Sequence, residues 1–75
     1  MHAAENPINE LDRERLLSAV ATRRLLGDVS DMSLWRWQRD ESLGFPAPVV
    51  IAKRRYWRIG DLLDFIDRRR RVVIK

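Results

Sequence analysis

The chain has 75 residues, of which 35% are charged, and it contains no cysteine. Such a length supports one small hydrophobic core and leaves no room for a second domain or an enclosed enzyme pocket. Without cysteine, and with His2 as the single histidine, we expect no catalytic residues, no metal site and no cofactor. No apolar run approaches the ~18 residues that a membrane span needs, so we expect a soluble, cytoplasmic protein without a signal peptide.

Positive charge is concentrated in the second part of the chain. The formal net charge is +4, and residues 1–29 hold four arginines against five acidic side chains, so residues 30–75 carry the whole excess. Arginine greatly outnumbers lysine, and guanidinium groups match both phosphate oxygens and guanine edges. This pattern favours a nucleic-acid partner, although an acidic protein partner fits the same charge.

Two short helices are predicted in the first half of the chain. Ser18 is a suitable N-cap for a helix over residues 19–26, which ends at Gly27. After a short polar turn, Ser30 is the N-cap of a second helix over residues 31–41. The two helices are therefore joined by a tight turn.

A hairpin and a closing helix are predicted in the second half. Residues 45–48 contain two prolines and form a corner, because proline cannot continue a helix. The β-branched run 49–51 and the aromatic run 55–58 predict two antiparallel strands, with a basic tip at residues 52–54. From Ile59 onward, apolar residues recur at the spacing of an amphipathic helix.

These elements predict an α+β fold with the parts of a winged helix-turn-helix: two short helices, a two-stranded antiparallel wing and a closing C-terminal helix. The domain is placed at residues 16–71. Residues 1–15 are assigned to a tail or short helix, and residues 72–75 to a C-terminal tail. The side chains predicted to form the core are Leu17, Leu25, Leu26, Val29, Leu34, Trp37, Phe45, Val50, Trp57, Ile59, Leu62, Leu63 and Ile66.

The second helix presents a polar outer face that fits a DNA major groove, which is ~12 Å wide. Arg36 is central on this face and is the first candidate for a guanine edge, with Arg39 beside it and Trp35 at the border. Ser30 and Ser33 are candidates for phosphate contacts at the helix start. Charged outer faces are also common on helices that bind nothing, so Arg36 and Arg39 alone leave that alternative open.

The predicted hairpin tip carries three consecutive cations, Lys53, Arg54 and Arg55. Their mutual repulsion is relieved by a nearby anion, and a tip of this size fits a minor groove or a phosphate backbone. A solvated charged turn that protects a strand edge is the alternative. Arg58 is a possible phosphate contact, or the partner of Asp61 or Asp64 in an ion pair.

The pattern of residues 16–69 resembles the AlpA-like and excisionase-like winged helix-turn-helix proteins of phages and mobile elements, which are relatives of the MerR-type DNA-binding domain. The most specific features are the Phe-Pro-x-Pro corner and the aromatic-Arg end of the second strand. The segments that carry the resemblance are Leu16-Leu17-Ser18, Leu25-Leu26-Gly27, Val29-Ser30, Ser33-Leu34-Trp35-Arg36-Trp37, Phe45-Pro46-Ala47-Pro48-Val49, Tyr56-Trp57-Arg58-Ile59, Asp61-Leu62 and Phe65-Ile66.

The resemblance implies a sequence-specific double-stranded DNA-binding protein without enzymatic activity or a small-molecule substrate. It would act as an excisionase, a recombination directionality factor that bends or bridges attachment-site DNA for an integrase, with cooperative self-association on DNA. A small AlpA-type transcriptional regulator and a protein-interaction module that does not bind DNA are the alternatives. The implied recognition residues are Ser30, Ser33, Trp35, Arg36 and Arg39, and the implied wing residues are Lys53, Arg54 and Arg55.

This chain departs from the family pattern in the helix-turn-helix segment. Asp31 stands where the family usually has a basic residue, and Asp28 has the position of an insertion in the turn. Thr22 and Arg23 replace the Val-Ala pair expected in the first helix.

Overall fold

Residues 12–70 are described by the structure, which is a computed structural model. One 3-10 turn spans Asp12–Glu14 and a second spans Glu41–Leu43. The predicted tails lie largely outside the described residues. The strands and helices are β1 (Leu16–Ser18), α1 (Ala19–Leu25), α2 (Asp31–Arg39), β2 (Val49–Ile51), β3 (Arg54–Arg58) and α3 (Ile59–Arg69).

The described chain has an α+β fold, with a three-stranded antiparallel sheet in the order β1-β3-β2. The predicted hairpin is present as β2 and β3, in which Val50 lies opposite Arg55. Only the two strands of this wing were predicted; β1 adds a third strand, because it pairs with the other edge of β3 and brings Leu17 opposite Trp57. A three-residue strand is too short to show an alternating pattern, and its pairing is determined by a partner some forty residues away.

Both predicted helix starts are confirmed. The Ser18 hydroxyl oxygen accepts a hydrogen bond from the Ala21 amide at 3.1 Å, and the Ser30 hydroxyl oxygen accepts one from the Ser33 amide at 3.0 Å. Helix α2 ends two residues earlier than predicted, at Arg39. There the Asp40 carboxylate accepts from the backbone amide and the hydroxyl of Ser42 and starts the 3-10 turn.

The turn between α1 and α2 is held by Arg23. Its carbonyl accepts from the amides of Asp28 and Val29, and its guanidinium donates to the Val29 carbonyl at 3.0 Å. Gly27 and Asp28 both have positive φ angles, of 93° and 63°. Arg23 and Asp28, which both depart from the sequence pattern described above, therefore lie at one junction. The Arg23 carbonyl accepts a hydrogen bond from the Asp28 amide there.

The core lies between the sheet and the helices. Leu34 of α2, Trp57 of β3 and Leu62 of α3 are fully buried, so each of these elements contributes to one cluster. Phe45 packs against this cluster, and its ring centroid lies 5.0 Å from that of Phe65. The Trp57 indole N–H donates to the Pro46 carbonyl at 3.0 Å, which fixes the proline corner on the core.

Several predicted core residues are wrong. Leu25, Val50 and Ile66 are 40%, 64% and 38% exposed, whereas Phe65 and Thr22 are buried and were not predicted. On α3 the buried stripe is shifted by one residue toward Phe65, because the helix packs around the Phe45 ring. Helical spacing alone does not distinguish this stripe from the neighbouring one that contains Ile66.

The first 3-10 turn packs against α3. The Arg13 guanidinium donates to the Gly60 carbonyl at 3.3 Å and to an Asp64 carboxylate oxygen at 2.9 Å. A side chain at Gly60 would place its Cβ 3.1 Å from the Arg13 carbonyl oxygen. Glycine at this position therefore permits the close approach of the turn to α3.

Candidate functional site

Helix α2 has one buried edge and a broad exposed face. Leu34 is fully buried and Trp37 and Gln38 are half-buried, so the opposite side is directed outward. We call this outward side the α2 face; its members are exposed, and they are Met32, Trp35, Arg36 and Arg39. The predicted recognition residues Trp35, Arg36 and Arg39 thus lie together on one surface, and the structure adds Met32 to them.

Trp35 and Arg39 form a stacked pair on the α2 face. The Arg39 guanidinium carbon lies 4.7 Å from the centre of the Trp35 ring, at a spacing of one helical turn. Trp35 nevertheless remains 47% exposed. The α2 face therefore combines a cationic group and an apolar ring in a defined arrangement.

The two serines predicted at the start of α2 already have partners in the protein. The Ser30 hydroxyl oxygen caps the helix at the Ser33 amide, and the Ser30 hydroxyl donates to the Ser33 hydroxyl oxygen at 3.2 Å. Ser30 is exposed and Ser33 is half-buried. Their first role is to begin α2, and any contact with a ligand has to coexist with the cap.

The hairpin tip consists of a two-residue turn at Ala52 and Lys53. Both residues have left-handed backbone angles, with φ of 50° and 69°. Two positive φ angles in succession produce the tight turn that matches the twist of paired strands. Lys53 and the following Arg54 are both exposed, so the tip presents two cations to solvent.

Arg55 differs from its two neighbours because its guanidinium contacts α2. It donates to the Gln38 amide oxygen at 2.6 Å and lies 3.4 Å from an Asp31 carboxylate oxygen. It also lies over the Trp57 ring, at 5.7 Å from the ring centre. Arg55 was predicted as a tip residue in contact with DNA, and its guanidinium lies between the hairpin and α2.

These contacts place the base of the hairpin tip beside α2. Asp31 and Gln38 are seven residues apart, so they lie on the same edge of the helix at about 100° per residue. Neither Gln38 nor a contact of Asp31 with the hairpin was predicted, although this spacing indicated a shared partner. Arg55 therefore joins helix α2, which carries the α2 face, to the hairpin, which carries the exposed cations Lys53 and Arg54.

Arg58 lies at the other end of β3. Its guanidinium is 3.4 Å from a Glu14 carboxylate oxygen, and both side chains are largely exposed. Sequence analysis named Asp61 or Asp64 as the ion-pair partner, and the structure gives Glu14. An exposed pair of this kind contributes little stability, so the Arg58 guanidinium remains accessible to a phosphate.

Comparison of the chain with protein-family models, with curated proteins and with solved structures finds no match. Within residues 12–70 no helix has the length and apolar character to cross a membrane. The same residues contain no group of three or more histidine, cysteine or acidic side chains that could hold a metal ion. The geometry of α2 and the hairpin is therefore the basis for a functional proposal.

Proposed function

We propose that the protein is a sequence-specific double-stranded DNA-binding protein of the winged helix-turn-helix type. Helix α2 enters the major groove with the α2 face toward the bases, and Lys53 and Arg54 at the hairpin tip contact the neighbouring minor groove or backbone. The observation that carries the proposal is the Arg55 bridge, which holds the hairpin beside α2 through Gln38 and Asp31. Cations on two adjoining elements can then engage one duplex.

Arg36 supplies the base contact in this proposal. It is exposed on the α2 face, and a guanidinium can donate two parallel hydrogen bonds to guanine O6 and N7. Arg39, stacked on Trp35, is restricted in its conformations and is directed to a phosphate or a second base. Phosphate contacts fix the register of the helix, and Arg36 then reads sequence.

Charge at the start of α2 limits how the helix docks. Asp31 is 67% exposed in its side chain and lies in the first turn, where a helix otherwise attracts phosphate. Its carboxylate is only partly neutralised by Arg55 at 3.4 Å. We therefore assign the backbone contacts to Lys53, Arg54 and Arg39, and the base contacts to the α2 face.

For the biological role, we propose an excisionase that binds attachment-site DNA and assists an integrase, as the sequence resemblance implies. A lone domain of this size reads one short site, so cooperative self-association on DNA is part of the proposal. The same surface would serve a small promoter-binding regulator. Footprinting on attachment-site and promoter DNA of one mobile element, with and without its integrase, separates the two roles. The excisionase role predicts integrase-dependent protection at the attachment site. Protection confined to a promoter would assign the regulatory role.

DNA binding is tested by selection from a random duplex library, followed by affinity measurements on the enriched sequence. Arg36→Ala should weaken binding to that sequence by about 1–3 kcal/mol and relax the preference at one base pair. Arg70→Ala is the matched control, because Arg70 is exposed and follows α3, outside the candidate surface. The proposal is overturned when no sequence is enriched, or when the two variants change the affinity equally.

A further inference from the structure

The α2 face contains an apolar feature that the charge-based proposal does not explain. Met32 is 57% exposed and Trp35 is 47% exposed, although both are large and apolar. With Asp31 they line a shallow groove of about 240 Å³. This groove lies on the helix that carries Arg36 and Arg39, so apolar surface adjoins cations on the α2 face.

The walls of this groove are held from two sides. Arg39 stacks on the Trp35 ring at 4.7 Å, and Arg55 bonds Asp31 at 3.4 Å. Met32 lies four residues before Arg36, and residues at this spacing are neighbours on a helix surface. The apolar groove is thus partly preorganised beside the residue proposed to read guanine.

We infer that this groove receives the 5-methyl group of a thymine, with Met32 as the contacting residue and Trp35 as the adjacent wall. The inference rests on the proposed function. In the major groove the thymine methyl is the apolar group on a base edge, and apolar side chains recognise it by contact. Arg39, which stacks on the Trp35 wall, can contact a phosphate beside such a base, and Arg55 partly neutralises the Asp31 carboxylate of the groove, which favours DNA over an apolar protein partner.

The position of the thymine follows from helix geometry. Four residues span about 6 Å along a helix, and base pairs are stacked about 3.4 Å apart. Met32 therefore reads a position within about two base pairs of the guanine that Arg36 contacts. Sequence preference at that position comes from Met32 and is independent of the hydrogen bonds of Arg36.

The test replaces thymine by deoxyuridine, which removes the methyl group and keeps the base pair. In the enriched duplex, deoxyuridine within two base pairs of the guanine should weaken binding of the unaltered protein about threefold to fivefold, the effect of one buried methyl group. Deoxyuridine outside the protected site is the control and should have no effect. Met32→Ala should bind both duplexes with equal, reduced affinity, and Met32→Leu should restore part of the discrimination.

Each outcome bears on the inference. Equal binding of the thymine and deoxyuridine duplexes by the unaltered protein overturns it and leaves the DNA-binding proposal intact. Discrimination that persists in Met32→Ala also overturns the inference, as does an enriched site without thymine near the guanine. Because Met32 is exposed, circular dichroism should show that Met32→Ala keeps its fold. Absence of any specific duplex binding overturns both the inference and the proposed function.

Discussion

Arg55 donates a hydrogen bond of 2.6 Å to the amide oxygen of Gln38, which joins the tip of the hairpin to the edge of α2. Arg54, the preceding residue in the same strand, is exposed. Arg55 is therefore bound to α2, whereas the Arg54 side chain is open to solvent. This pair allows the structural and electrostatic roles of the tip to be separated by experiment.

Arg55→Ala should lower the free energy of unfolding by about 1–2 kcal/mol, because a charged hydrogen bond is lost and the half-buried Gln38 amide is left without its partner. Arg54→Ala should change the free energy of unfolding by less than about 0.5 kcal/mol. Urea denaturation of the two variants measures both values. Equal stability of the two variants would show that the Arg55 bridge does not hold the hairpin to α2.

The turn at Ala52 gives a second prediction. Ala52 has a φ of 50°, a conformation that costs a residue with a side chain roughly 1–2 kcal/mol. Glycine removes this cost, although its greater freedom in the unfolded chain offsets about 0.5–1 kcal/mol. Ala52→Gly should therefore leave stability unchanged or raise it by up to roughly 1.5 kcal/mol.

Ala47 supplies the matched control for this substitution. It is exposed and does not have a positive φ. Ala47→Gly therefore increases the freedom of the unfolded chain without removing any backbone strain from the folded state. We expect Ala47→Gly to lower stability by about 0.5–1 kcal/mol and thus to melt below Ala52→Gly. The reverse order of melting temperatures would contradict the strained turn.

Local patterns in the sequence predict the helix starts and the hairpin, and long-range contacts determine what they miss. Ser18 and Ser30 act on amides three residues away, so their roles follow from local sequence. Strand β1 depends on β3, and the buried stripe of α3 depends on Phe45, so neither follows from a single segment. The three-stranded sheet and the Phe65 core position therefore required the structure.

The residues of the candidate site likewise divide into those that local sequence predicts and those that depend on long-range contacts. Periodicity places Arg36 and Arg39 on the outer side of α2, and the structure agrees. Periodicity does not predict that Arg55 contacts Gln38, because the face of the sheet to which a strand residue points depends on what packs beside the strand. The exposure of Met32 and its groove with Trp35 became evident only from the packing.

Thr22 gives a third prediction, on core stability. It is fully buried in α1, and its hydroxyl oxygen has no hydrogen-bond partner among the described residues. Thr22→Val replaces the hydroxyl by a methyl group of similar size with a similar helix propensity, so it removes an unsatisfied polar group. It should raise stability by about 1 kcal/mol, which corresponds to roughly 4–8 °C in Tm for a domain of this size.

Thr22→Ser is the control for this substitution, because it keeps the hydroxyl and removes the methyl group. It should lower stability by about 1 kcal/mol through lost packing. Thermal unfolding monitored by circular dichroism orders the three proteins. A lower Tm for Thr22→Val than for the unaltered chain would mean that the hydroxyl has a stabilising contact.

The final prediction concerns the salt dependence of DNA binding, which separates positioning contacts from base contacts. Three exposed cations are assigned to phosphates, namely Arg39, Lys53 and Arg54. Each neutralised phosphate contributes about −0.9 to the slope of log K against log salt, so the unaltered protein should show a slope near −3. A flat dependence would contradict electrostatic docking.

Lys53→Ala and Arg36→Ala should differ in kind. Lys53→Ala removes a phosphate contact, so it should weaken binding to all duplexes about equally and reduce the slope by about 1. Arg36→Ala should reduce the preference at one base pair, with a smaller change in slope, because its energy comes from guanine O6 and N7. Anisotropy titrations of specific and scrambled duplexes at several salt concentrations measure both quantities. If Lys53→Ala altered base preference and Arg36→Ala altered only the slope, the roles of the α2 face and the hairpin tip would have to be exchanged.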